Sequence, residues 1–145
     1  MIDDRPIHVR PTREEDASSV AALLTELGYP FTAEVILAQI RKMLSGEVET
    51  AFVAIVDDTI IGGAVVEIAR SSAEDVLARL PVLAVHPDFR RHHVGEKLLQ
   101  SVADYADRHQ CRAIEVTAVD DVPENLSFYI DLGFVRQGRY LRKNL

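Results

Sequence analysis

The chain contains one cysteine, no tryptophan and only 6% aromatic residues among its 145. A lone thiol, Cys111, excludes an internal disulfide framework and a multi-cysteine metal site. It precedes a strand-like run without a motif partner, so an inert thiol fits better than a nucleophile. Basic residues are in deficit as well: 16 Lys and Arg against 23 Asp and Glu leave a net charge of −7. That balance argues against sequence-independent nucleic-acid binding, which needs a basic footprint. Long apolar runs are missing; Ile60-Ile61-Gly62-Gly63-Ala64-Val65-Val66 is far short of the ~20 residues that span a bilayer. Met1-Ile2-Asp3-Asp4 has neither the basic nor the apolar region of a secretory leader. The expectation is a cytoplasmic protein without membrane or nucleic-acid partners. Five histidines, His8, His86, His92, His93 and His109, show no metal-ligand spacing, so no metal site is read. No Walker loop and no strand-linked GxGxxG occurs either.

What remains is a chain 48% hydrophobic and 27% charged, without repeats, low-complexity segments or linkers, which predicts one domain over residues 1–145. Ile7-His8-Val9-Arg10 alternates like a strand. Thr12 with Glu15 three positions on reads as a capping box, and Val20, Leu23, Leu24 and Leu27 keep helical spacing up to Gly28. After Tyr29-Pro30, Thr32 caps a second helix through Ile36, Ile40 and Leu44, ended by Gly46. Ala51–Val56 and Thr59–Ile68 flank a hairpin turn at Asp57-Asp58. Val76–Val85 is a strand broken by Pro81, which implies an edge, a bulge or a splay. A helix from Val94 through Leu98, Leu99, Val102 and Ala106 precedes a strand over Ala113–Val119. A short helix from Pro123 to Leu132 ends at Gly133, and Phe134-Val135 and Tyr140-Leu141 close the chain as strands. The order β-α-α-β-β-β-α-β-α-β-β describes a mixed α/β fold with antiparallel strands first and a crossover later.

Charge is unevenly placed. Residues 1–131 carry −11, whereas 132–145 hold Arg136, Arg139, Arg142 and Lys143 and no acid. A second basic spot, Arg90-Arg91-His92-His93, lies in Val82–Leu99, where an apolar strand passes through a short loop straight into a helix. Free amides and the positive dipole end at a helix start favour anions. Arg90 and Arg91 add full charge there, and Gly95 offers close backbone approach. An ordinary strand–helix connection with surface arginines is the plain alternative.

Val85-x-Pro87-x-x-Arg90-x-x-x-x-Gly95-x-x-Leu98-Leu99 resembles the acetyl-CoA-binding motif of the GNAT N-acetyltransferase superfamily. Asn125-Leu126-Ser127-Phe128-Tyr129-Ile130-Asp131-Leu132-Gly133-Phe134 is similar to that family's Asn-x-x-x-x-Tyr-x-x-x-Gly-Phe segment. Both stand in the right order, separated by a helix and a strand, and the resemblance covers nearly the whole chain. It implies a central mixed, mostly antiparallel twisted sheet of about six to seven strands flanked by about four helices, with a splay between the fourth and fifth strands. There is one departure: His93 stands where the family's loop has its first glycine. Histidine tolerates φ > 0 better than most residues and can donate to a phosphate. The other reading has His93 pointing outward with the backbone cradle intact.

The resemblance implies roles. The pyrophosphate of acetyl-CoA would lie on amides from Arg91 through Glu96, that is Arg91, His92, His93, Val94, Gly95 and Glu96, beside Arg90. The pantetheine arm would pair with the strand at Leu83 and Val85. Asn125 would hydrogen-bond the cofactor or fix its helix start. Tyr129 would act as general acid toward the leaving thiolate, and a backbone N–H near Leu83 would stabilise the oxyanion. A buried core tyrosine is the other reading of Tyr129. The acceptor would be a primary amine of a small molecule or peptide, with cations favoured by the acidic body. Its proton could go to Glu67, His86, Glu115 or water, and spacing selects none of them. A GNAT-like acyl-CoA-binding or regulatory module without catalysis is the alternative function. Dimerisation is common in the family, and no interface is legible in this sequence.

Overall fold

Asp57 and Asp58 both take positive φ, 48° and 65°. Two successive left-handed residues make the tight turn whose twist matches a pair of strands. They join β2 (Glu49–Val56) to β3 (Thr59–Arg70), in a computed structural model that describes residues 5–46, 48–72, 74–90, 93–117, 123–137 and 140–145, with the side chains of 117, 123–126 and 140 left out. The remaining elements are β1 (His8–Pro11), α1 (Ala17–Glu26), α2 (Ala33–Ser45), β4 (Val76–Val85), α3 (Val94–Arg108), β5 (Ala113–Thr117), α4 (Pro123–Asp131), β6 (Val135–Gln137) and β7 (Tyr140–Asn144). The strands form one seven-stranded sheet in the order β1-β2-β3-β4-β5-β7-β6. Only β4 and β5 run parallel; the other neighbours are antiparallel. This is the mixed sheet with four helices that the sequence predicts, and its splay lies between the fourth and fifth strands as expected.

The helices fall on the two faces of the sheet. Val94, Leu98, Leu99, Val102 and Ala106 of α3 are buried in one cluster with Phe52, Ala54, Ala64, Val66, Ala78 and Leu80. Gly62 makes that packing close: a Cβ there would lie 3.0 Å from the Ala84 carbonyl and 3.2 Å from both Val94 and Leu98. On the other face Ala17 and Ala21 of α1 and Ile36 and Ile40 of α2 form a second, smaller cluster. Thr32 caps α2, its hydroxyl accepting the Val35 N–H at 3.2 Å. Among the described residues no helix is long and apolar enough to cross a membrane.

Thr12 does not cap the first helix. Its N–H is committed to the sheet through the Ala51 carbonyl at 2.9 Å, and its buried hydroxyl has no hydrogen-bond partner among the described residues. Helical structure begins later, with a 3-10 turn at Glu14–Asp16 followed by α1. The buried Asp16 side chain takes over, accepting the Arg13 N–H at 2.7 Å and both terminal nitrogens of Arg10 at 2.8 and 2.9 Å. The Arg10 guanidinium holds that carboxyl below its ordinary pKa.

Candidate functional site

The site begins where β4 leaves β5. Their register runs Leu77↔Ala113, Ala78↔Ile114, Arg79↔Glu115 and then stops. On the β3 side, Val65 pairs with Val82 and Glu67 with Arg79, so Leu80 and Pro81 together face Val66. That is a bulge, at a proline that has no N–H for a ladder. The bend changes what the strand exposes. Val76, Ala78 and Leu80 are buried before it, whereas Pro81 and Val82 are exposed after it and Leu83, Ala84 and Val85 half-buried. Beyond Arg79, β4 keeps β3 on one side and has no strand partner on the other among the described residues. An open strand edge beside exposed Val82 can take an extended chain as an added strand. Leu83, in register with Ala64, and Val85, in register with Gly62, lie on that segment. The Val85 carbonyl already accepts the Arg90 Nε at 3.3 Å, which folds the arginine back onto the strand end.

The loop after β4 delivers the chain to α3. His93 closes it in the left-handed region, φ 63° and ψ 20°, with its side chain exposed and its Nδ1 3.1 Å from Glu96 Oε1. It thus both takes the positive φ and turns its ring outward. Lys97 N–H is the first to find a helical acceptor, the His93 carbonyl at 3.1 Å. The amides of Val94, Gly95 and Glu96 are therefore the first-turn donors of α3, and they have no acceptor among the described residues. Three first-turn amides behind a left-handed residue suit a phosphate ester. Arg91 and His92 lie outside the described residues.

Gly95 has a neighbour that the sequence did not suggest. A Cβ on it would lie 3.0 Å from Phe128 Cζ, so the glycine admits an aromatic ring of α4. This contact docks α4 against the first turn of α3. Tyr129 follows Phe128 and is buried, edge-on to Phe128 (5.1 Å between centroids) and to Phe134 (5.3 Å). Burial pushes its phenol up to about 12, so it is a neutral donor across the working pH range. The Tyr129 carbonyl accepts the Phe134 N–H at 3.0 Å, which fixes the end of α4. Asn125 stands one turn earlier on α4, and its side chain is outside the description.

The three candidate bases differ in their commitments. His86 Nδ1 accepts the Asp88 N–H at 3.1 Å, and its Nε2 lies 2.5 Å from Glu26 Oε2. Glu115 is buried, bonded to Arg142 and 3.9 Å from Arg79. Glu67 is half-buried and has no ion-pair or hydrogen-bond partner among the described residues. The basic tail is partly accounted for: Arg142 neutralises Glu115, and Lys143 donates to the Leu132 carbonyl at 2.7 Å, beyond the end of α4. Arg136 is exposed on β6, and Arg139 is outside the described residues.

Residues 47–136 match the sequence family described as the acetyltransferase (GNAT) domain. The fold is similar to that of aminoglycoside N-acetyltransferase AAC(6')-Iy in complex with CoA, at 19% identity, TM-score 0.83, covering 96% of this chain and 94% of that one. It is similar to a Trypanosoma brucei acetyltransferase at 24% identity and TM-score 0.78, over 92% and 96% of the two chains. PaiA N-acetyltransferase from Thermoplasma acidophilum, solved with coenzyme A, is 19% identical, with TM-score 0.75 over 97% and 99%.

Proposed function

The chain belongs to the GNAT acetyltransferase family, and from that premise we propose that it moves an acetyl group from acetyl-CoA to a primary amine of a small molecule or peptide by direct attack. Acetyl-CoA is the co-substrate. The observation that carries the site assignment is the strand edge left open past Arg79↔Glu115 among the described residues, ending at the first-turn amides of α3. One extended molecule with an amide-bearing arm and an anionic group fits both features.

In this reading the backbone of Leu83 and Val85 holds the pantetheine arm, and the segment Arg90, Arg91, His92, His93, Val94, Gly95 and Glu96 holds the pyrophosphate. Asn125 anchors the cofactor side of α4. Backbone near Leu83 polarises the thioester carbonyl as the amine arrives. Tyr129 offers its proton to the departing sulfur. A phenol near 12 is a much weaker acid than a thiol near 8.5, so its contribution is a strong hydrogen bond that tightens as thiolate charge builds. The acceptor is a cationic amine, drawn to an acidic protein by long-range steering.

The test pairs binding with turnover. Calorimetry should show acetyl-CoA bound by the wild type and equally by Tyr129→Phe, while CoA release with an accepted amine falls about a hundredfold in the variant. Unchanged turnover would remove Tyr129 from the mechanism. Failure of the wild type to bind acetyl-CoA at millimolar concentration would overturn the enzyme reading.

A further inference from the structure

We infer that Glu67 is the group that takes the proton from the acceptor ammonium, an assignment that rests on the acetyltransferase reading. Ala64 and Val66 are buried in the cluster beneath α3, so strand alternation turns Glu67 to the opposite face, where α1 and α2 pack. Glu67 is in register with Arg79, the last residue of β4 paired to β5. It therefore stands at the throat where the strands separate and where an arm laid along Leu83 and Val85 brings its thioester. The bulge opposite Val66 lies between that throat and exposed Val82.

Elimination points the same way. His86 accepts an N–H with Nδ1, so its Nε2 carries the ring proton and faces the Glu26 carboxylate, leaving no free lone pair. His86 also follows the strand end near the phosphate-holding loop rather than the bulge. The Glu115 carboxylate is sequestered by Arg142 and Arg79. Glu67 alone of the three keeps its oxygens uncommitted among the described residues. The charged groups facing it across the sheet are Glu49 on β2 and Arg79 on β4, with Glu115 one strand further. Glu49 and Glu67 are like charges directly opposite, an arrangement that disfavours itself and that an arriving ammonium relieves.

The proton balance is simple. The ammonium loses one proton to Glu67, directly or through a water, and Glu67 passes it to solvent. The free amine then forms the C–N bond, the C–S bond breaks with Tyr129 hydrogen-bonded to the departing sulfur, and the second proton from nitrogen ends on the thiol. The products are the amide, CoA and one released proton.

Glu67→Gln tests the assignment, with spermidine, kanamycin and a lysine-containing peptide as acceptor probes. At pH 7 kcat/KM should fall about a hundredfold, and the deficit should shrink as pH approaches the amine's own pKa near 10, where solvent supplies free amine. Acetyl-CoA affinity by calorimetry should be unchanged, and His86→Gln should leave the pH profile intact. Glu67→Asp, which keeps the charge, should restore part of the rate with the wild-type profile even if the glutamine variant folds poorly. A Glu67→Gln profile superimposable on wild type would overturn the assignment and leave the enzyme reading standing. A wild type that binds acetyl-CoA yet acetylates none of the probes would overturn both.

Discussion

His93 holds a left-handed backbone at the start of α3, at a cost. Its backbone sits at φ 63°, where an L side chain is strained, and its 73%-exposed ring leans toward Glu96 rather than into the amide cradle. If the ring is a bystander, His93→Gly should bind acetyl-CoA within about threefold of wild type and melt no lower. His93→Val, branched at Cβ and poorly suited to positive φ, should weaken binding and lower the melting temperature. A tenfold loss of affinity in the glycine variant, measured by calorimetry, would mean that the imidazole itself touches phosphate. Tyr129 gives a second residue-scale expectation. With its phenol raised to about 12 by burial, the proton is retained to high pH, so this group puts no falling limb on kcat below pH 10. An ordinary tyrosine would begin to lose the proton there. The same shift acts on stability. The unfolded chain releases that proton near 10 and the folded one only near 12, so the contribution is complete below pH 10 and is lost as pH climbs through 12. Tyr129→Phe should therefore unfold less steeply with pH between 10 and 12, as denaturant titrations would show.

At the scale of elements, α4 meets the first turn of α3 through the Phe128 ring seated on Gly95. Gly95→Ala forces Phe128 to move from 3.0 Å, and overpacking of this kind costs about 1–3 kcal/mol. Because Phe128 precedes Tyr129, the loss should appear in kcat as well as in melting temperature. Phe128→Leu in the Gly95→Ala background should recover more than the sum of the single effects allows, a coupling that a double-mutant cycle measures. Additive singles would show that the two helices are held elsewhere. The hairpin at Asp57-Asp58, the Thr32 cap and the irregularity at Pro81 were all legible in the sequence, because each is fixed by neighbours in the chain. Thr12 was not: a strand pairing with Ala51, 39 positions away, claimed its backbone and left the cap to Asp16. Gly95 read as a space for ligand because its other tenant, Phe128, is likewise distant in sequence.

Over the whole molecule, the element order and the two motif segments could be read from the chain, whereas the partners of its charges could not. The tail residues Arg142 and Lys143 stood out only as a basic excess. Folding puts Arg142 on buried Glu115 and Lys143 on the Leu132 carbonyl, pairings that sequence position does not encode. What survives as a long-range field is the net charge of −7. CoA is a polyanion and a polyamine is a polycation, so the field acts on them with opposite sign. Added salt screens both interactions over a Debye length of about 8 Å at physiological ionic strength. KM for spermidine should therefore rise several-fold between 20 and 300 mM salt, roughly as expected for screened steering. The dissociation constant for acetyl-CoA should change far less, since salt weakens repulsion by the acidic body and attraction by Arg90 together. An amine that is uncharged at neutral pH, such as aniline, should show no salt dependence in KM. If spermidine and aniline respond alike, the acidic surface plays no part in choosing the acceptor, and selection rests on contacts within the cleft alone.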